Sequence, residues 1–367
     1  MPVTGKGRRK VLIVAEAPGY QEDEDGTQLV GKSGQYLRKV LDGMGVDLNR
    51  DCWKTNAVIC RPPDNKTEDV HIECCRPNLN RTIEEKKPEV IVLLGGVAVR
   101  SLIEQLWSKG GRVGTISKWV GWKIPSQQLN TWVCPTYHPS YLLRQNDPVL
   151  ELHFRRHLEE AFGLRGRPWK SVPDYESEVE CLYDPDVAAG VLRRMRERGG
   201  RVAFDYETNM LKPDHPSASI VSCAVCWEGK KTIAYPWVGA AVKATGELLR
   251  CRNVRKIGAN DKFEQRWTMA TFGHGVRGWI WDCMVNAHVL DSRREITSVK
   301  FQAFAQLGVG PYAEAVAPYL LARSGGPENR IREVELPVLL KYNGTDAIVE
   351  FLIAQKQGCV DADTTGV

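Results

Sequence analysis

Asp205-Tyr206-Glu207-Thr208 closes the apolar run Arg201-Val202-Ala203-Phe204 and so delivers two carboxylates from one strand end. Residues i and i+2 of a strand point to the same face, which lets Asp205 and Glu207 share a divalent cation that neither would hold well alone. Glu264 and Asp346, far downstream, could complete the cluster, and Tyr342 precedes Asp346 by one helical turn. Four acidic groups brought together repel one another, and hard cations with oxygen ligands offset that cost. The implied chemistry is hydrolysis of a phosphodiester with two Mg²⁺ or Mn²⁺ ions, one generating hydroxide and the other stabilising the leaving oxygen.

A second set lies upstream. Glu16-Ala17-Pro18-Gly19 follows the strand-like run Val11 to Ala15, and Glu22-Asp23 comes within the same loop. Thr55-Asn56, near a second strand, offers a side-chain amide able to read a base edge. Tyr137-His138-Pro139-Ser140, after the last strand of this half, offers an imidazole. Ligands of parallel α/β sheets bind outside the strand C-termini, so these segments converge on one crevice. A base must leave its stack to be attacked. Leu142 and Leu143 are candidate wedges for the gap, with Arg144 beside them for a phosphate.

The elements that must hold these residues fall into two halves. Val11 to Ala15, Lys54 to Cys60, Val90 to Leu94 and Trp132 to Pro135 read as strands. They alternate with helical stretches at Gly34 to Met44, Glu73 to Lys86, Val97 to Trp107 and Leu150 to Phe162, a pattern that predicts a parallel sheet covered by helices. Gly163 to Ser177 lacks periodicity and reads as a linker, with a boundary near residue 170. Asp184-Pro185-Asp186 then starts a helix that ends at Gly199-Gly200. Strand-like runs follow at Val202 to Tyr206, Ile220 to Trp227 and Lys231 to Pro236, with helical patterns from Lys262 onward, so the second half predicts a mixed sheet packed by helices.

The 367 residues suit two domains, and a hydrophobic fraction of 43% supports globular folding. The net charge of +5 is a mild excess that suits a polyanionic partner. No apolar run approaches a membrane span and no signal peptide is read, so a cytoplasmic protein in a bacterial or viral host cell, with reduced thiols and no membrane partner, is expected.

Phe204 to Thr208, Ile257 to Glu264 with Asn260, and Tyr342 to Asp346 together resemble the proofreading 3′-to-5′ exonuclease domain of the DEDDy class, as found in family A DNA polymerases, over about residues 179 to 357. The resemblance implies a ribonuclease H-like mixed sheet, with Asp205, Glu207 and Asp346 as metal ligands and Tyr342 orienting the attacking water. Glu264 stands where the class carries Asp and still offers a carboxylate as ligand. Asn260 matches the class Asn and is placed at the substrate, while Asp282 reads as structural.

Ala15 to Gly19 with Glu22-Asp23, Gly26 to Gly34, Thr55-Asn56 with Cys60-Arg61-Pro62-Pro63, and His138 to Arg144 resemble the uracil-DNA glycosylase superfamily, most closely its family-four enzymes, across about residues 9 to 162. That implies a three-layer glycosylase fold in which Asn56 bonds the uracil edge, with Gly19 and Ser140 also at the substrate. Glu16 or Glu22 would position or activate water, and His138 would donate to the uracil oxygen that gains charge. Leu29 stands where the family stacks an aromatic on uracil, and Tyr20 is a possible replacement ring. The family's iron-sulfur cluster needs four cysteines. Cys60 and Cys75 match the later pair, no CxxC precedes the first strand, and no cluster is expected.

The sequence therefore reads as a glycosylase-like domain over 1–165, a linker over 166–178, an exonuclease domain over 179–358 and a tail over 359–367. It would release uracil and trim single-stranded or 3′-terminal DNA in repair or proofreading. The alternatives are a non-catalytic uracil- or single-strand-binding module ahead of the exonuclease, or the N-terminal part or accessory subunit of a family A polymerase.

Overall fold

The computed structural model describes residues 1–107, 113–322 and 326–359. The chain divides into two compact units: Met1–Val172 with Phe304–Pro311, and Pro173–Ala303 with Tyr312–Val367. No feature of the sequence marks 304–311 as part of the first unit. Of the expected tail, only Cys359 lies within the described residues.

The first unit contains strands β1 (Val11–Ala15), β2 (Cys52–Asn56), β3 (Val90–Leu94), β4 (Ile124–Ser126) and β5 (Thr131–Thr136). They form one sheet in the order β2-β1-β3-β5-β4, parallel throughout except for β4, which runs antiparallel to β5. Every residue of β1 and of β3 is buried, as strands covered on both faces require. One face packs Ile13 and Val92 against Leu37 and Leu41 of the helix Lys32–Asp42 and against Phe154 and Leu158 of the helix Pro148–Gly163. The helix Gly95–Trp107 also packs on β1, β3 and β5. β2 ends at Asn56, short of the expected Cys60. There the chain turns, and the amides of Ala57 and Val58 donate to the carbonyls of Ala15 and Glu16, tying the ends of β1 and β2 together.

The second unit contains β6 (Val179–Cys181), β7 (Gly200–Thr208), β8 (Ile220–Trp227), β9 (Lys231–Pro236), β10 (Val254–Gly258) and β11 (Trp279–Asp282). The sheet order is β11-β10-β7-β8-β9-β6. β7, β8 and β9 make an antiparallel meander, while β10 and β11 lie parallel on the far side of β7. This is a mixed sheet, as expected for the second half. β7 is central, so the pair at its end is placed in the middle of the sheet's edge. Asp184 caps the helix Pro185–Arg198, its carboxylate accepting from the amides of Asp186 and Val187, and Gly199 follows the last turn.

The helix Leu336–Lys356 lies across β6 to β10 and is buried along most of its length. It approaches the sheet closely at Gly344, where a Cβ would stand 2.3 Å from Val179 Cγ1. That approach lowers Asp346, half a turn further on, toward the end of β7. Among the described residues no helix is long and apolar enough to cross a membrane.

Gly344→Ala is therefore expected to cost about 1–3 kcal/mol through overpacking. In a thermal melt this reads as a fall of roughly 2–4 °C per kcal/mol, and an unchanged melting temperature would show that the helix does not need this approach.

Candidate active sites

In the second unit, Asp205 and Glu207 from β7 and Asp346 from the helix Leu336–Lys356 bring carboxylate oxygens within 4.8 Å of one another. It is the arrangement the i, i+2 spacing on β7 implies once a third acid is lowered onto it. Burial, and then the Asp346 charge, push Asp205 up to about 7. Burial and the same neighbours hold Glu207 well above the usual carboxylate range. Uncompensated, the cluster keeps protons, and a divalent cation would displace them.

The supports of this cluster come from residues that the spacing of the acids does not reveal. Asn343, fully buried, donates from Nδ2 to Asp205 Oδ2 at 2.7 Å, while its Oδ1 accepts from Ser222 Oγ at 2.9 Å. Ser222 lies opposite Glu207 on β8, so the chain Ser222–Asn343–Asp205 fixes the carboxylate from beneath. Asp346 Oδ1 accepts from both Lys300 Nζ and the Tyr312 hydroxyl. The Tyr342 ring lies 6.1 Å from that of Tyr312, and burial followed by the Asp346 charge raises its hydroxyl strongly.

Glu264, expected as the fourth ligand, stands outside the three-carboxylate group. It sits in the first turn of the helix Lys262–Phe272, 3% exposed, and its Oε2 has no hydrogen-bond partner among the described residues. Burial and the Asp205 charge hold it well above its ordinary range. Glu350, one turn beyond Asp346, was not foreseen. It too is buried, its Oε2 has no partner among the described residues, and burial followed by Asp205 raises it. Asn260 adopts a left-handed backbone at the turn into the helix Lys262–Phe272. Asp282 holds that turn, accepting from the amides of Asn260 and Asp261 while also capping the helix Cys283–Leu290.

In the first unit a cavity of about 440 Å³ opens at the C-terminal ends of β1 and β2. Glu16, Gly19, Glu22, Leu29, Asn56, His138, Ser140 and Arg144 all line it, and so do Ser33, Pro62 and Asn65. Asn56 is 3% exposed and its Nδ2 has no partner among the described residues, a buried donor in the wall of a cavity. Such a group costs about 1–3 kcal/mol until a ligand supplies an acceptor. His138 caps the helix Pro139–Gln145: the Ser140 amide donates to His138 Nδ1 at 3.2 Å, and Ser140 Oγ lies 2.7 Å from the same nitrogen. An amide only donates, so Nδ1 carries no proton and the neutral ring carries it on Nε2. Burial, and then Arg144, push His138 down to about 4.

Both oxygens of Glu22 are engaged, Oε2 accepting from the Gly19 amide at 3.1 Å and Oε1 from the Gly31 amide at 2.9 Å. Glu16 Oε1 accepts from Thr67 Oγ1 at 3.2 Å. Leu29 is buried in the core with a left-handed backbone, and its carbonyl would stand 2.0 Å from a Cβ on Gly34. Two expectations need correction. Tyr20 is 61% exposed, its hydroxyl donates to Glu24, its ring lies beneath Arg61, and it is not among the residues lining the cavity. Leu142, expected as a wedge, is a core residue at 1% exposure, because it sits on the inward face of its short helix. Leu143, on the other face, is 46% exposed. Cys60 is exposed, Cys75 half-buried, and both are free thiols.

These features define a protein of two compact units, the first with a polar cavity at its strand ends and the second with a buried carboxylate cluster. Residues 2–162 match the model of the Uracil DNA glycosylase superfamily. A type-4 uracil-DNA glycosylase of Pyrobaculum aerophilum is 38% identical over 165 residues, covering 44% of this chain and 82% of that protein. The chain belongs, through its first unit, to the uracil-DNA glycosylase superfamily. A DNA polymerase of Bacillus phage SP01 is 25% identical over 392 aligned positions, which cover 97% of this chain and 40% of that protein. Among solved structures, Trypanosoma brucei RNase D in complex with RNA U12 is 14% identical with a TM-score of 0.40, covering 52% of this chain and 68% of that one.

The raised position of Asp205 has a thermodynamic signature. A carboxyl that holds its proton more tightly folded than unfolded makes the folded state the greater proton binder, so stability falls as pH rises from its ordinary value toward about 7. The metal-free melting temperature should drop across that window, and Mn²⁺ should restore it above pH 7. Asp205→Asn should reduce the drop, with Glu207, Glu264 and Glu350 supplying what remains, and abolish most of the Mn²⁺ response. A pH-independent melting temperature in EDTA would count against an uncompensated cluster.

Proposed function

We propose that the chain processes DNA at two independent hydrolytic sites: uracil excision in the first unit and two-metal 3′-to-5′ trimming in the second. The partnerless Asn56 Nδ2 facing the cavity carries the first reading, and the three gathered carboxylates support the second.

Uracil presents an acceptor, a donor and an acceptor along one edge. Asn56 meets it with Nδ2 donating to O4 and Oδ1 accepting from N3–H. His138, neutral with its proton on Nε2, donates to O2, where negative charge grows as the glycosidic bond breaks. A neutral donor suits this role because it needs no protonation step near neutral pH. Glu16 is the better candidate to orient water, since the Glu22 oxygens are spent on the backbone. Leu143 fills the space left by the flipped base, and Arg144, at the cavity rim, meets the strand's phosphate.

In the second unit Asp205, Glu207 and Asp346 would hold Mg²⁺ or Mn²⁺, with Glu264 drawn in as the charge is offset. The cations, when bound, supply hydroxide and stabilise the leaving oxygen. Asn343 fixes Asp205, and Tyr342 orients the water at the edge of the cluster. The similarity to a phage polymerase across both units supports a role beside polymerase activity, with a DNA polymerase as partner or as continuation of the chain. The eleven free cysteines support a reducing compartment such as the cytoplasm.

One observation favours a second reading of the first unit, as a module that binds uracil-containing strands without cutting. Leu29 contributes no aromatic face, and stacking is worth about 1–3 kcal/mol per base. Leu29→Phe should then tighten binding of a uracil-containing strand by roughly 5- to 100-fold, read by titration.

A single end-labelled, uracil-containing strand separates the activities. EDTA should stop end trimming and leave base release intact. His138→Ala should slow release by about 10²–10³-fold, the cost of one oxyanion donor, and spare trimming, whereas Asp205→Asn should do the reverse. Release should show no inflection near pH 6.5 and decline only as pH falls toward about 4. Tight strand binding with no free uracil at any pH would establish the binding-module reading instead.

A further inference from the structure

The exonuclease-like site contains a cation of its own. Lys300, on the helix Val299–Leu307, forms an ion pair through Nζ with Asp346 Oδ1. The same ammonium lies 3.9 Å from the ring centre of Tyr312 and 4.5 Å from that of Tyr342. Asp346 is one of the three gathered carboxylates, and the oxygen it offers to Lys300 also accepts from the Tyr312 hydroxyl. The Lys300 side chain is 33% exposed against 10% for Asp346, so the ammonium reaches the acids from their open side.

We propose that Lys300 is a catalytic residue of the trimming reaction: its ammonium balances Asp346 while the cluster is metal-free and moves onto a non-bridging oxygen of the scissile phosphodiester when cations and strand bind. This rests on the two-metal reading given above. A divalent ion held by Asp205, Glu207 and Asp346 carries twice the charge of an ammonium and competes for the same Asp346 oxygen. It takes that oxygen and repels Lys300. The lysine has a four-carbon stem and three rotatable donors with which to turn away. The rings of Tyr312 and Tyr342 present their negative faces to it, so it is held beside the cluster rather than released to solvent. The anion that arrives at that place is the strand's phosphate.

Lys300 makes and breaks no covalent bond. It adds positive charge where the phosphoryl oxygens gain negative charge at the transition state. Tyr312 is a positioning residue: its hydroxyl holds Asp346 while its ring carries the ammonium. A lysine acting only as a strut between two helices would lower the melting temperature when removed and leave metal and strand binding as they were.

The test uses the full chain as wild type, Lys300→Met, Lys300→Arg and Asp205→Asn. Calorimetric titration with Mn²⁺ alone should show Lys300→Met binding about tenfold more tightly than wild type, as a competing charge is gone. In Ca²⁺, used as a probe cation, the affinity of Lys300→Met for a labelled single strand should fall by about tenfold, and Lys300→Arg should recover most of it. With saturating Mg²⁺, kcat for trimming should fall at least as far. Unchanged strand affinity in Lys300→Met overturns the proposal whatever the metal titration shows, and so does unchanged Mn²⁺ affinity. If instead Asp205→Asn keeps wild-type Mn²⁺ binding and trimming, it is the two-metal reading itself that fails.

Discussion

Mutual repulsion among buried carboxylates is the constraint on which the second unit depends. Asp205, Glu207 and Asp346 meet within 4.8 Å, and Glu264 and Glu350 are buried nearby, each with an oxygen that no donor among the described residues satisfies. Such a group cannot be charged and unpaired together, because isolated buried charge neutralises itself by taking protons. The surrounding residues are arranged around that difficulty. Asn343 supplies a donor to Asp205 from below, Tyr312 and Lys300 supply donors to Asp346 from the side, and Gly344 allows the helix to come near enough for the third acid to arrive. A fold stabilised by apolar packing thus accommodates a strained polar centre, as functional sites commonly do.

The first unit solves the opposite problem. Beside Glu16, Glu22 and Arg144, its cavity presents two neutral groups: an amide with a spare donor and an imidazole held in one tautomer by a helix N-terminus. Here the local backbone does the work that cations would do in the other unit. His138 is both the cap of a short helix and a wall of the cavity, so the same hydrogen bond that starts the helix decides which ring nitrogen is left for a partner.

Much of this was legible in the sequence where spacing carries the information. The i, i+2 pair at the end of an apolar run, the i, i+4 pair downstream, and the strand-end positions of Glu16, Asn56 and His138 are local patterns that survive folding unchanged. What was not legible depends on tertiary placement. Lys300 and Tyr312 sit between the second and third acidic motifs with no periodic signature, and only the packing of their segment brings them to Asp346. β4 and β6 are three residues each, too short for alternation to show. Leu142 and Leu143 are equivalent as letters, and the rotation of a seven-residue helix decides that the first is core and the second surface.

The Glu22 carboxylate has a mechanical consequence. By accepting from Gly19 and Gly31 at once it closes the chain between them into a hoop, and Leu29 lies on that hoop. A pocket walled by rotatable side chains adjusts to its guest by changing rotamers. A hoop of main chain fastened by one carboxylate widens only if the fastening opens. The width of the cavity on this side is therefore set by backbone circumference, and substitutions at position 29 change what the wall is made of without changing where it stands.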